Sequence, residues 1–202
     1  MNKPKFIFKV FLFLLALSVT NSFAQTETKQ PPAEPCYEVV LQILIASNNS
    51  SEKNVIPPAL SNVVKKLKTL YAFSDYRLAT TFLQRTSNSL EYKSLLNDFG
   101  QTQDKTAPVF SEWSLRNLRN SPNSNGRSTI QFESFRFGAR IPILSNAKDE
   151  SGKTSPVVNY EGIGITTMRF SLNENEPTIV GSLAMSKPDE LMFLVLTVKP
   201  AE

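Results

Sequence analysis

After Ser87 no stretch of this chain carries an apolar stripe of helical period, which excludes most architectures at once. In its place come strand-like runs: Leu90 to Leu96, Val109 to Leu118, Ser128 to Ile143, Gly162 to Leu172, Thr178 to Leu183 and Leu191 to Lys199. Turn-rich segments separate them, such as Asn120-Ser121-Pro122-Asn123-Ser124-Asn125-Gly126. Asn125-Gly126 favours a tight turn because both residues accept positive φ. Lys148 to Pro156 reads as a mobile hairpin loop. Strands of this kind predict a largely antiparallel β-sandwich over residues 87–202. Within Ser128 to Ile143, Ile130 and Phe132 occupy one face but Phe135 and Phe137 the other. That switch predicts a bulge near Ser134 or a strand buried on both sides.

Residues 37–86 read differently. Val39-Val40-Leu41-Gln42-Ile43-Leu44-Ile45-Ala46 is short, β-branched and nearly all apolar, which suits a strand covered on both faces. Pro57-Pro58 then opens a helix in which Leu60, Val63, Val64, Leu67, Leu70 and Tyr71 form one stripe of period 3.6. Lys65, Lys66 and Lys68 lie off that stripe and read as a solvated face, with an anionic-surface patch as the competing account. Tyr76 to Thr86 follows as a strand with Leu78, Thr80, Phe82 and Gln84 on one face. Strand, helix and strand predict a β-α-β unit with a right-handed crossover. The fold class expected is therefore α+β, with the whole Leu60–Tyr71 stripe buried on the first sheet. The β-α-β unit either stands apart from the sandwich or fuses with it.

The first 24 residues state an address. Lys3, Lys5 and Lys9 precede an apolar run, Val10 to Val19, and Ser22-Phe23-Ala24 places small residues at −3 and −1. This is the pattern of a secretory signal cleaved after Ala24; an uncleaved anchor is the competing reading. Residues 25–36 are polar and Pro-rich and read as a disordered leader. The sequons Asn48-Asn49-Ser50 and Asn49-Ser50-Ser51 carry little weight in a bacterial chain, which this signal suits. Expected is a protein of the periplasm or outer-membrane face of a Gram-negative bacterium, with no membrane insertion after cleavage.

The full chain has 22 basic and 18 acidic residues, a net charge of +4, and no histidine. Residues 1–24 hold three of the lysines and no acid, so the remainder carries 22 − 3 = 19 bases against 18 acids, about +1. Nucleic-acid binding loses its support, because it needs concentrated positive charge. Absence of histidine removes Ser-His-Asp and Cys-His catalysis and the commonest zinc site. Cys36 is the single cysteine, so no intramolecular disulfide or thiolate metal cluster can form. Ala33-Glu34-Pro35 is not a lipobox. A disulfide to another subunit and a small hydrophobe packed at the mouth of the first strand remain, and packing is expected.

Residues that invite a chemical reading each have a plainer one. Trp113, flanked by Glu112 and later by Arg116 and Arg119, suits a ligand platform but more simply a core. Phe132, Phe135, Arg136, Phe137 and Arg140 interleave rings and charges as single-strand nucleic-acid binders do, against the near-neutral charge. Asp149-Glu150 and Asp189-Glu190 are adjacent acids in apparent turns. Gly162-Ile163-Gly164 precedes no helix and is no phosphate loop. No catalytic, cofactor-binding or metal residue is assigned, and no cofactor is expected.

The C-terminal residues carry one resemblance. Ile165-Thr166-Thr167, Asn173-Glu174-Asn175-Glu176, Thr178-Ile179-Val180-Gly181-Ser182-Leu183 and Asp189 to Pro200 resemble the end of the bacterial secretin core. There a strand leads to an acidic turn, a "VxxG-small-Leu" strand and a terminal "EL-apolar-apolar-T-P" strand. The early strand-helix-strand also looks like the small periplasmic domains preceding that core. Secretins insert a long gate and lip segment where this chain has only Ala184-Met185-Ser186-Lys187-Pro188. The resemblance thus implies a secretin-like scaffold module without a channel and carries over no catalytic residue.

The expected function is that of an exported, non-enzymatic envelope protein that binds a protein partner by β-augmentation at exposed strand edges. A secretion or pilus accessory fits that description. The alternatives are a carboxylate-dependent hydrolase of cell-wall sugars and a small-ligand carrier.

Overall fold

The computed structural model describes residues 35–48, 55–96, 107–122, 128–148, 152–185 and 189–201. The signal over 1–24, the leader as far as Glu34, the Asn125-Gly126 turn and Asp149-Glu150 lie outside the described residues, as does all of both sequons except Asn48.

The strands are β1 (Tyr37–Ser47), β2 (Asp75–Thr86), β3 (Leu90–Leu96), β4 (Val109–Arg116), β5 (Arg119–Pro122), β6 (Ser128–Lys148), β7 (Thr154–Asn173), β8 (Thr178–Ala184) and β9 (Glu190–Pro200). One helix, α1 (Ser61–Leu70), lies between β1 and β2, entered through a short 3-10 turn, Pro58–Leu60. The strands form a four-stranded sheet in the order β2-β1-β9-β8 and a five-stranded sheet in which β3-β4-β6 continues to β7, with β5 also on β6. Every pairing is antiparallel. The architecture is thus largely an antiparallel β-sandwich. The chain's first two strands share a sheet with its last two, and Ala201 N–H donates to the Cys36 carbonyl at 2.8 Å.

Two apolar clusters explain the layers. Inward residues of both sheets, among them Leu41, Ile43, Trp113, Leu115, Phe135, Phe137, Leu194 and Leu196, form the sandwich core. The other face of the four-stranded sheet offers Leu44, Ala46, Phe193 and Val195 to Leu60, Val63, Val64 and Leu67 of the helical segment. A sheet covered on both sides needs strands without polar alternation. Met192 to Leu196 of β9 meets that need, with no residue more than 1% exposed.

The β-α-β expectation is corrected. β1 and β2 are neighbours and antiparallel, with Ser47 opposite Asp75, so the helical connection begins and ends at the same end of the sheet. A parallel crossover must bring the chain back along the whole of β1. Eleven residues of strand span about 36 Å, whereas the ten residues of α1 return about 15 Å. The stripe expectation holds for Leu60, Val63, Val64 and Leu67 but not for Leu70, 64% exposed, or Tyr71, 37% exposed. Tyr71 has already turned extended at φ −131°, so the stripe ends with the helix. The off-stripe Lys65, Lys66 and Lys68 are exposed, and Lys68 Nζ lies 5.9 Å over the Tyr76 ring.

Face assignments within strands change where the backbone is irregular. Ile43 faces Thr80 but Leu44 faces Leu78, which makes Ala79 the extra residue of a bulge. Leu78 therefore packs with the helix cluster while Phe82 joins the sandwich core, not the shared face expected of them. Near Ser134 the burial phase of β6 does switch, yet its register with β7 keeps one offset from Thr129 to Lys148, with pairing interrupted at Glu133 and Arg169. No bulge is needed, because neighbouring strands switch in step. Asn117 (φ 53°) separates β4 from β5, and Arg169 (φ 51°) lies in β7. Asn117 Nδ2 also donates to Glu133 Oε2. Strand β5, whose residues read as part of a turn, forms because Arg119–Pro122 continue along the β6 edge past this irregularity. The hairpin reading at 148–156 is likewise shortened: Lys148 pairs Thr154, and Ser155 and Pro156 belong to β7.

One charge group braces one end of the first sheet. Glu38 faces Arg85 on β2 and Lys199 on β9, with Lys199 Nζ at 2.6 Å and the Arg85 guanidinium at 3.6 Å. The Lys199 hydrogen bond, helped by both positive charges, holds the Glu38 carboxyl below its ordinary value of 4.5. A depressed folded value adds stability above the unfolded pKa and loses it as the pH falls through the folded one. Glu38→Gln should thus be less stable than the parent at pH 7, and the gap should close on acidification below the ordinary value. Denaturant titrations at pH 7 and at about pH 3 check this; a gap that is unchanged would rule it out.

Candidate functional site

The outer face of the five-stranded sheet is the candidate site, and alternation builds it. Phe135, Phe137 and Ala139 point into the core, so Arg136, Gly138 and Arg140 point out. Cross-strand register then sets three rows. Glu91, Ser114, Arg136 and Thr166 form one, Lys93, Glu112, Gly138 and Gly164 the second, and Leu95, Phe110, Arg140 and Gly162 the third. Gly138 inside the second row, with Gly164 and Gly162 ending the second and third rows on β7, leaves a groove of about 810 Å³.

Its walls are of mixed character. Leu95 and Phe110 are 55% and 43% exposed. Lys93 pairs with Glu91 at 3.0 Å, whereas Arg136, Arg140 and Glu112 form no ion pair among the described residues. Beyond Arg140 and Gly162, β6 and β7 pair only with each other and run on as a two-stranded arm. Pro142 faces Tyr160 and Leu144 faces Val158 on the arm's outer side. The rings of Phe110 and Tyr160 lie 5.5 Å apart, joining groove and arm into one apolar strip. Leu144, Val158 and Tyr160 are 40–49% exposed.

The glycines differ in what the fold asks of them. A Cβ on Gly164 would lie 2.6 Å from the Phe137 carbonyl oxygen, a backbone atom with nowhere to move. A Cβ on Gly162 would meet nothing within 4 Å, and one on Gly138 would make only ordinary contacts, with the Glu112 side chain at 3.5 Å and the Ile163 carbonyl oxygen at 3.8 Å. Gly164→Ala should therefore cost about 1–3 kcal/mol, while Gly162→Ala should be neutral or slightly stabilising. Thermal unfolding of the two variants compares them directly, and equal behaviour would mean that the strand pairing at Gly164 is misdescribed.

The residues singled out in the sequence separate cleanly. Trp113 is 1% exposed, packed with Phe82 and Tyr92 at 6.5 and 6.3 Å, and is a core residue rather than a platform. Phe132, Phe135 and Phe137 are core residues too, so these three rings do not share a surface with Arg136 and Arg140. Gly162 and Gly164 belong to the groove, together with Arg136 and Arg140. Asp189 lies in the turn before β9 and Glu190 opens β9 opposite Ser47, on the other sheet. Cys36 is exposed, a correction to the expected packing, because it precedes the first inward residue, Tyr37. Sequence reasoning missed Gly138, Phe110, Leu95 and Tyr160. Their outward facing follows from alternation, but their juxtaposition needs a register across four strands.

Among the described residues no group of three or more His, Cys, Asp or Glu side chains is placed to hold a metal ion. No helix among them is long and apolar enough to cross a membrane. Among the described residues the buried Tyr37 and Tyr76 hydroxyls have no hydrogen-bond partner, and burial raises both pKa values, with help from Glu174 and Tyr71 respectively. Both belong to core clusters and not to the groove. Compared with family models, with curated proteins and with solved structures, the chain matches none.

Proposed function

We propose that this chain is an exported, non-enzymatic envelope protein that binds other proteins through the outer face of its five-stranded sheet. The observation that carries the reading is the apolar strip from Leu95 and Phe110 to Tyr160, Leu144 and Val158, left uncovered on a sheet and its arm. Contiguous exposed apolar surface of this kind marks interaction sites. The export pattern of residues 1–24 supports the envelope address, and the secretin-like tail supports a scaffold role beside a secretion or pilus system. Pro142 and Pro156 each lack an N–H, which weakens strand addition along the arm and favours binding on its face. Among the described residues Glu112 is the single carboxylate lining the groove, whereas a sugar hydrolase of the usual kind uses two.

Cross-linking in envelope extracts, followed by pull-down, tests the reading. The parent should capture a specific envelope protein, Tyr160→Asp should lose it, and the exported form should begin at Gln25. A protein that comes down alone and turns over a wall-derived substrate would overturn the proposal. Intact Met1 in a membrane fraction would replace the periplasmic address with an anchor.

A further inference from the structure

We infer that the groove and arm form a homodimer interface, in which two copies meet face to face about a two-fold axis. The inference names one partner for the surface on which the proposed function rests. Four observations carry it.

The first is the pair of glycines that the monomer does not require. Glycine in a strand interior costs stability, and at Gly162 and Gly138 a side chain would fit. Bare positions that the fold does not need keep a surface open to another backbone. The second is the continuity of the apolar strip from this floor onto the arm, which gives each copy both a groove and something to lay in it. The third is charge. Glu112 lies one strand from Gly138, which sits between Arg136 and Arg140, yet it pairs with neither arginine. A two-fold axis can set Glu112 of each copy against an arginine of the other, so the face complements itself. The near-neutral balance outside residues 1–24 leaves little long-range repulsion between copies.

The fourth is what the arm lacks. Its far end carries Lys148, Gly152, Lys153, Thr154 and Ser155, all exposed and none of them apolar anchors. A hairpin made to enter a bilayer would place its apolar residues there instead of at its base. Three rows across four strands, with the arm, cover on the order of 600 Å² per copy against roughly 800 Å² for a standard interface. The dimer should accordingly be concentration-dependent.

Sedimentation and light scattering of the purified protein from about 1 to about 100 µM test this. The parent should pass from monomer to twice the monomer mass. Gly162→Val and Leu144→Asp should each weaken association at least about tenfold, with dilute-solution thermal midpoints unchanged. Valine suits a strand and its Cβ meets nothing within 4 Å at position 162, and Leu144→Asp keeps the test valid if the first variant misfolds. A parent that stays monomeric throughout, or a dimer that neither variant disturbs, overturns the inference. A monomeric parent that still captures an envelope protein would remove the dimer and leave the binding reading. A dimer sensitive to both variants that captures nothing would do the reverse.

Discussion

Trp113→Ala should lower the stability of this protein by about 3–5 kcal/mol, the largest effect expected of any single truncation in it. The side chain is 1% exposed, sits in the core between the sheets and packs against Phe82 and Tyr92, so its removal leaves a hole that two pleated sheets cannot close. Trp113→Phe should cost less than half as much. Its Nε1 is buried without a hydrogen-bond partner among the described residues, and phenylalanine removes that donor while keeping a ring in place. Urea denaturation followed by circular dichroism measures both. A loss below about 1 kcal/mol for the alanine variant would mean that Trp113 is not where the sheets meet.

Leu67→Ala should cost about 2–5 kcal/mol, whereas Leu70→Ala, one turn on, should stay within about 0.5 kcal/mol. Leu67 is 1% exposed against the sheet and Leu70 is 64% exposed. Intrinsic helix propensity favours alanine slightly at both positions, so the contrast isolates packing. If Leu67→Ala lost less than about 0.5 kcal/mol, the helix would not cover the first sheet at all.

These two predictions also show how far the chain could be read unaided. The stripe Leu60, Val63, Val64, Leu67 was legible because one helix face repeats locally. Its end at Leu70 was not, because the chain leaves the helix at Tyr71 with apolar residues still in phase. Strand positions were legible for the same local reason, and each run read after Ser87 contains or overlaps a strand of the structure. Phase within them was lost only at irregularities. Ala79 bulges out of β2, and the Asn117 and Arg169 turns carry three strands through one change of face together. A positive φ at arginine leaves no mark in a sequence, and asparagine accepts one without requiring it.

The candidate site divides in the same way. That Arg136, Gly138 and Arg140 share a face follows from the period of two, since Phe135 and Phe137 must face the core. That Gly162, Gly164, Phe110 and Glu112 stand beside them does not follow, because register between strands is set by pairing across distant parts of the chain. What the amino-acid order determined on its own was where the strands lie, the two faces of each regular stretch of strand and the helix stripe as far as Leu67, all encoded within a few residues of one another. The tertiary structure alone decided that β1 and β2 run antiparallel, that β1 and β9, far apart in sequence, are neighbours in one sheet and that three glycines come together as a bare floor. Those outcomes depend on contacts between residues far apart in the chain, which no local period records.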